Sequence, residues 1–129
     1  QKIIFIQKLD HSGLKWKSYF INIPEETGKA KAVKVGDING DGKLDLVHTS
    51  NTMNNDKKAG IYWLSYINDP YDSEWVWHEL SGIIGYKFDR IELLDMDGDG
   101  DLDVLTSEEN YGNNSKGLGV IWYENPIKG

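Results

Sequence analysis

Val35-Gly-Asp-Ile-Asn-Gly-Asp-Gly-Lys-Leu-Asp-Leu-Val47 sets an acidic, glycine-broken loop between two short aliphatic runs. Counted from Asp37, the loop carries oxygen-bearing side chains at positions 1, 3, 5 and 9 (Asp37, Asn39, Asp41, Asp45) and glycine at 4 and 6. The same spacing returns as Asp95-Met-Asp-Gly-Asp-Gly-Asp-Leu-Asp103, with Asp95, Asp97, Asp99 and Asp103 in the equivalent places. Alternate acidic residues can turn inward around a hard cation, and glycine allows the backbone to curl where a Cβ would clash. So many carboxylates in one turn repel one another unless a divalent ion neutralises them. The pattern predicts two Ca²⁺ sites.

Working outward from the loops, the similarity extends along the chain. Lys31-Ala-Val-Lys-Val-Gly-Asp37 aligns with Asp89-Arg-Ile-Glu-Leu-Leu-Asp95, and Leu44-Asp-Leu-Val47 aligns with Leu102-Asp-Val-Leu105. Asn-rich connectors follow, and then Gly60-Ile-Tyr-Trp-Leu64 matches Gly119-Val-Ile-Trp-Tyr123. Trp16-Lys-Ser-Tyr-Phe-Ile21 and Trp75-Val-Trp-His-Glu-Leu80 share a further pattern, so residues 1–23 resemble 60–82. The chain therefore reads as one all-β segment of slightly over two repeats: a partial unit at 1–23, a complete one at 29–82 and a partial one at 87–126. Alternation such as Val33, Lys34, Val35 predicts strands near 30–36, 44–50, 59–66 and 74–80 in the complete unit. Four short strands recurring at a period of roughly 40–60 residues are expected of a β-propeller blade, a four-stranded antiparallel sheet.

The loop with its flanks, the Gly119-Val-Ile-Trp-Tyr-Glu-Asn-Pro126 stretch and the Trp-x-x-His/Tyr strand resemble FG-GAP/VCBS-type propeller repeats. The resemblance implies calcium in the turn between a blade's first two strands. It implies Asp37, Asn39, Asp41 and Asp45 as ligands in one site and Asp95, Asp97, Asp99 and Asp103 in the other. The main-chain carbonyl of Lys43 or Asp101 would add one more oxygen to each. A closed propeller needs about four or more blades. The missing blades are expected from the same parent chain, the favoured reading because the edges fall inside repeats, or from other subunits.

Composition narrows the partners. A formal net charge of −7 argues against nucleic acid and anionic membranes, and eight of the 21 acidic residues lie in the two loops. There is no cysteine, and no apolar run approaches the ~20 residues of a membrane span. Calcium loops of modest affinity suit calcium-rich compartments, so an extracellular or periplasmic location is expected. An EF-hand is excluded because position 12 is His48 or Thr106 rather than glutamate, and a dockerin-type loop is excluded because a strand-like run follows.

The repeat also sorts the remaining residues. Trp16, Trp63, Trp75 and Trp122 recur in register and read as packing between sheets. His78 replaces Tyr19 and reads as structural, while His48 breaks the repeat where the other copy has Thr106. Tyr71, Trp77 and Tyr111 have no repeat-wide reason to be aromatic and are the candidate ligand contacts, because exposed rings stack on sugars. Two functions are compatible with this set: a module for binding carbohydrate or protein, or part of a propeller-fold polysaccharide lyase or sugar dehydratase. In the enzyme case Lys34 and Arg90 are the candidate charged groups near the inner strand, although Ala32 stands where the repeat has Arg90.

Overall fold

The structure is a computed structural model that describes residues 2–52, 58–82, 87–109 and 117–128. All regular structure among these residues is β, in nine strands: β1 (Lys2–Lys8), β2 (Trp16–Asn22), β3 (Lys29–Gly36), β4 (Asp45–Asn51), β5 (Gly60–Tyr66), β6 (Trp75–Glu79), β7 (Phe88–Leu94), β8 (Asp103–Glu108) and β9 (Gly119–Tyr123). The four strands expected in the complete unit appear within about one residue of their expected ends. The runs are rich in β-branched, aromatic and aliphatic residues, and β3 and β7 stop at the Asp/Gly loops, which cannot extend a ladder.

Neighbouring strands in sequence pair antiparallel, giving a β1–β2 hairpin, a four-stranded β3–β4–β5–β6 sheet and a three-stranded β7–β8–β9 sheet. All three sheets are open. The hairpin turn is closed by the Leu9 N–H donating to the Lys15 carbonyl at 2.9 Å, with Gly13 at φ 74°. Both longer sheets begin with a register shift in the first strand pair, between Ala30 and Val33 and between Phe88 and Arg90. The extra residue bends the first strand at the same place in both sheets.

Register decides what each face carries. Lys34 opposes Val47 and Val47 opposes Trp63, so Ala32, Val47, Ile61 and Trp63 share one face of β3–β6. That face meets Ile91, Leu93, Val104, Ile121 and Tyr123 of β7–β9, and Val47, Ile61 and Phe88 are fully buried between the sheets. Burial of each such side chain contributes about 1.5–3 kcal/mol. Gly36 packs tightly against the facing sheet, where an added Cβ would stand 2.8 Å from Leu102 Cδ1 and 2.9 Å from Leu93 Cδ1.

The opposite face of β3–β6 carries Leu46, His48, Tyr62, Leu64 and Trp77. The hairpin lies on this side: Ile21 lines a cavity with Leu46, Tyr66 and Trp75, and the Tyr19 and Tyr71 rings sit 4.8 Å apart. The three sheets thus stack in chain order, and both acidic loops join the first two strands of a sheet, β3 to β4 and β7 to β8.

Candidate metal centres

Both loops fold alike because their acidic side chains hold their own backbone. Asp37 Oδ2 accepts the N–H of Gly42 at 2.9 Å, and Asp95 Oδ2 accepts that of Gly100 at 3.0 Å. Asp41 Oδ1 accepts from Lys43 N–H at 2.8 Å, as Asp99 Oδ1 does from Asp101 N–H at 3.0 Å. Across the loop mouth, Asp45 Oδ2 accepts from Ile38 N–H at 3.0 Å and Asp103 Oδ2 from Met96 N–H at 2.9 Å. The curl requires left-handed backbone at positions 4 and 6, where Gly40, Gly42, Gly98 and Gly100 have φ of 71°, 83°, 85° and 90°. A strand, not a helix, leaves each loop, in accord with the exclusion of EF-hand and dockerin arrangements.

These contacts gather charge. Asp95, Asp97 and Asp99 each offer an oxygen, all within 4.8 Å of one another. At that range each like-charge pair costs between about 1 kcal/mol in open water and about 4 kcal/mol in a half-shielded loop. In the first loop Asn39 stands in for one carboxylate, and its Nδ2–H donates to Asp41 Oδ2 at 3.2 Å.

Donor supply tests whether the residues fit a cation. Asp45 is 1% exposed, and its Oδ1 has no hydrogen-bond partner; Asp99 Oδ2 and Asp101 Oδ1 are also buried and unpartnered. A buried carboxylate oxygen without a donor is costly unless a cation meets it. Burial pushes the Asp45 carboxyl above its usual range, only partly opposed by the N–H groups of Ile38 and Asn39, and Asp41 and Asp37 add to the rise. Burial likewise raises Asp101, reinforced by Asp99, Asp103 and Asp97 against the Lys128 N–H. The donor set is hard oxygen throughout and matches Ca²⁺.

The second loop is clasped where the first is not. Asn125 N–H donates to Asp103 Oδ1 at 2.8 Å, Lys128 N–H to Asp101 Oδ2 at 3.0 Å, and Lys128 Nζ to the Gly100 carbonyl at 2.6 Å. Burial alone would raise the Asp103 carboxyl, but the N–H donors of Asn125 and Met96, with the Trp122 side chain, outweigh it and hold the group below its usual range. Asp103 therefore reaches its loop with both oxygens engaged, whereas Asp45 keeps one free. At position 7, Lys43 Nζ leads away from its loop to the Ile67 carbonyl at 2.9 Å, while Asp101 brings a buried carboxylate.

Tyr71 and Trp77, candidate ligand contacts from sequence, are both half-buried and packed or bonded within the protein, Trp77 by ring contacts. Tyr71 Oη accepts from Gln7 Nε2 at 2.7 Å and ties the hairpin to the β5–β6 connection. Trp77 meets His48 edge-on at 5.3 Å and Tyr62 at 6.0 Å. The two belong to separate contacts, and Tyr111 lies outside the described residues. His78 stacks on Trp63 at 3.8 Å, in keeping with a structural role. Of the four tryptophans read as packing between sheets, Trp63 reaches the core and Trp75 is half-buried, but Trp16 and Trp122 are 55% and 44% exposed.

A cleft of about 610 Å³ opens between β3–β6 and β7–β9, lined in part by Trp63, Glu79, Leu80, Tyr123, Glu124 and Asn125. The sequence carries no signal for Glu124 and Asn125 at this cleft, because Trp63 belongs to a different sheet and shares no motif with them. Comparison with protein-family models, with curated proteins and with solved structures finds no match to this chain.

Proposed function

We propose that the chain is a calcium-stabilised segment of a β-propeller of the FG-GAP/VCBS type, serving extracellular binding or scaffolding. The observation that carries the metal is the orphaned, buried Oδ1 of Asp45 together with the buried free oxygens of Asp99 and Asp101. Asp37, Asn39, Asp41 and Asp45 would hold one Ca²⁺. Asp95, Asp97, Asp99 and Asp101 would supply the side-chain oxygens of the other, with Asp103 bracing the loop mouth. The ion supplies charge neutralisation. The chain's own residues fix the turn between the first two strands of a blade and so fix strand register without a disulfide.

The ring reading is supported by three consecutive sheets stacked in chain order with repeated loops at one end. Ligand recognition, of a carbohydrate or a protein surface, is assigned to the cleft between the second and third sheets. There Trp63 and Tyr123 offer aromatic surface beside Glu124 and Asn125. Apolar faces with a few convergent polar groups suit a sugar or a peptide side chain. Modest-affinity oxygen cages fit a compartment where calcium is abundant.

Melting with and without excess EGTA tests the metal, and an unchanged transition temperature counts against it. A glycan array probed with the calcium-loaded chain tests the ligand class: hits that disappear in Glu124→Gln support the cleft, and hits unaffected by that change place recognition elsewhere.

A further inference from the structure

The chain leaving β9 passes both acidic loops in turn. Asn125 Nδ2 donates to the Ile38 carbonyl at 2.7 Å and to the Leu102 carbonyl at 3.1 Å, and the Asn125 N–H donates to Asp103 Oδ1 at 2.8 Å. Ile38 is position 2 of the first loop, and its N–H is held by Asp45 at position 9. Asp103 is position 9 of the second loop and holds the N–H of Met96 at position 2. One hydrogen-bonded line therefore runs from Asp45 through Ile38 and Asn125 to Asp103 and Met96. Further along, Ile127 Cγ2 comes within 3.8 Å of where a Cβ on Gly40 would stand, and Lys128 holds Asp101 and the Gly100 carbonyl.

Both ends of the line meet oxygens that lack a donor. Asp45 Oδ1 is buried and unpartnered in the first loop, and Asp101 Oδ1, on a residue 9% exposed, is so in the second. An ion drawn in by those oxygens gathers the carboxylates of its loop and fixes the backbone between them. In the first loop that backbone includes the Ile38 peptide, whose carbonyl anchors Asn125. An anchored Asn125 keeps its N–H on Asp103, which braces the mouth of the second loop. The second ion then meets a loop already ordered, so less conformational entropy is lost when it binds, and it is held more tightly. Repulsion between the ions opposes this, but salt screens it over about 8 Å, whereas the hydrogen-bonded line is a direct connection.

We propose that Asn125 is a positioning residue that couples the two loops, so that Ca²⁺ in either one raises the affinity of the other. The coupling presupposes the calcium occupancy proposed above and adds to it a dependence of each site on its neighbour. It acts equally in both directions, because linked binding free energies are reciprocal. About fivefold is expected, the factor one net hydrogen bond supplies.

Calorimetric titration with calcium chloride in about 0.15 M salt reads the factor. Asp41→Ala leaves the second loop to be measured alone, and Asp99→Ala leaves the first. The product of the two wild-type association constants should exceed the product of these single-site constants about fivefold. Adding Asn125→Ala to all three chains should bring the products together. The Asn125 side-chain amide resonances, followed by NMR in the single-site variants, should shift as calcium fills either loop; this readout keeps Asn125 itself intact. Equal products with Asn125 present overturn the proposal, as does an excess that survives Asn125→Ala or an amide unmoved by one of the ions. A wild type that binds no calcium defeats the calcium reading and the coupling with it, whereas two bound ions with equal products defeat the coupling alone.

Discussion

The side-chain amide of Asn125 donates to the main-chain carbonyl of Ile38 at 2.7 Å, across 87 residues of sequence. The same Nδ2 reaches the Leu102 carbonyl at 3.1 Å, and the Asn125 N–H reaches Asp103. One residue therefore ties the first acidic loop to the exit of the second. Asn125→Ala removes both side-chain bonds and leaves two carbonyls without that donor. Urea denaturation should show a loss of about 2 kcal/mol, at roughly 1 kcal/mol for each net hydrogen bond; a change within error would mean water replaces the amide at no cost.

Calcium titration by calorimetry should count two sites in the wild type and one in either Asp41→Ala or Asp99→Ala. Asp45→Asn should weaken the first site, since it replaces the charged orphan oxygen with a neutral one. At a free ion concentration a hundredfold above the dissociation constant, each site adds about 2.7 kcal/mol to stability. Two sites counted in every variant, as in the wild type, would argue that the ions sit elsewhere.

The left-handed glycines at loop position 6 should resist substitution. A Cβ added at Gly42 would meet open space, but φ there is 83°, so the cost of Gly42→Ala is conformational rather than steric. About 1–2 kcal/mol is expected from forcing an L-residue into that region. Thermal unfolding in EGTA isolates this cost from any effect on metal affinity.

His48 makes stability depend on pH. The ring is 1% exposed, its Nδ1 lies 2.9 Å from the Thr49 carbonyl, and its Nε2 is buried without a partner. Burial pushes its pKa below 6.5, against the weaker upward pull of the Thr49 carbonyl. The unfolded chain therefore takes the proton first, and stability falls as pH drops through about 6.5 toward the lower folded-state value. The loss is about 1.4 kcal/mol for each unit of depression. His48→Leu should flatten that slope between pH 7 and pH 5 in saturating calcium; an unchanged slope would assign the effect to other groups. Tyr62, 5.6 Å from His48, is pushed up to about 12 by burial and by Glu79 and Glu26, so it stays neutral throughout this range.

Much of the fold was legible because its signals are local. Asp/Gly breaks at Asp37–Asp45 and Asp95–Asp103 and the apolar runs around them set where β3, β4, β7 and β8 begin and end. Alternation around Val33 and Val35 marked a strand but not its depth: both are exposed, at 47% and 56%, although Val35 lines the same cavity as the hairpin's Ile21. His48 stood out as a break in the repeat. That it packs as a neutral ring between Tyr62 and Trp77 depends on cross-strand register and on a third strand.

The amino-acid order by itself determined the strands, the two loops and the oxygen atoms able to meet a cation, because turn chemistry and side-chain period act over a few residues. Only the tertiary structure decided which of those oxygens stay without a donor. Asp45 and Asp103 occupy the same loop position, yet Asn125 reaches one and no donor reaches the free oxygen of the other. That difference arises from the path the chain takes after β9, beside Asp103 in the same sheet, a distance in space that spacing along the chain does not encode.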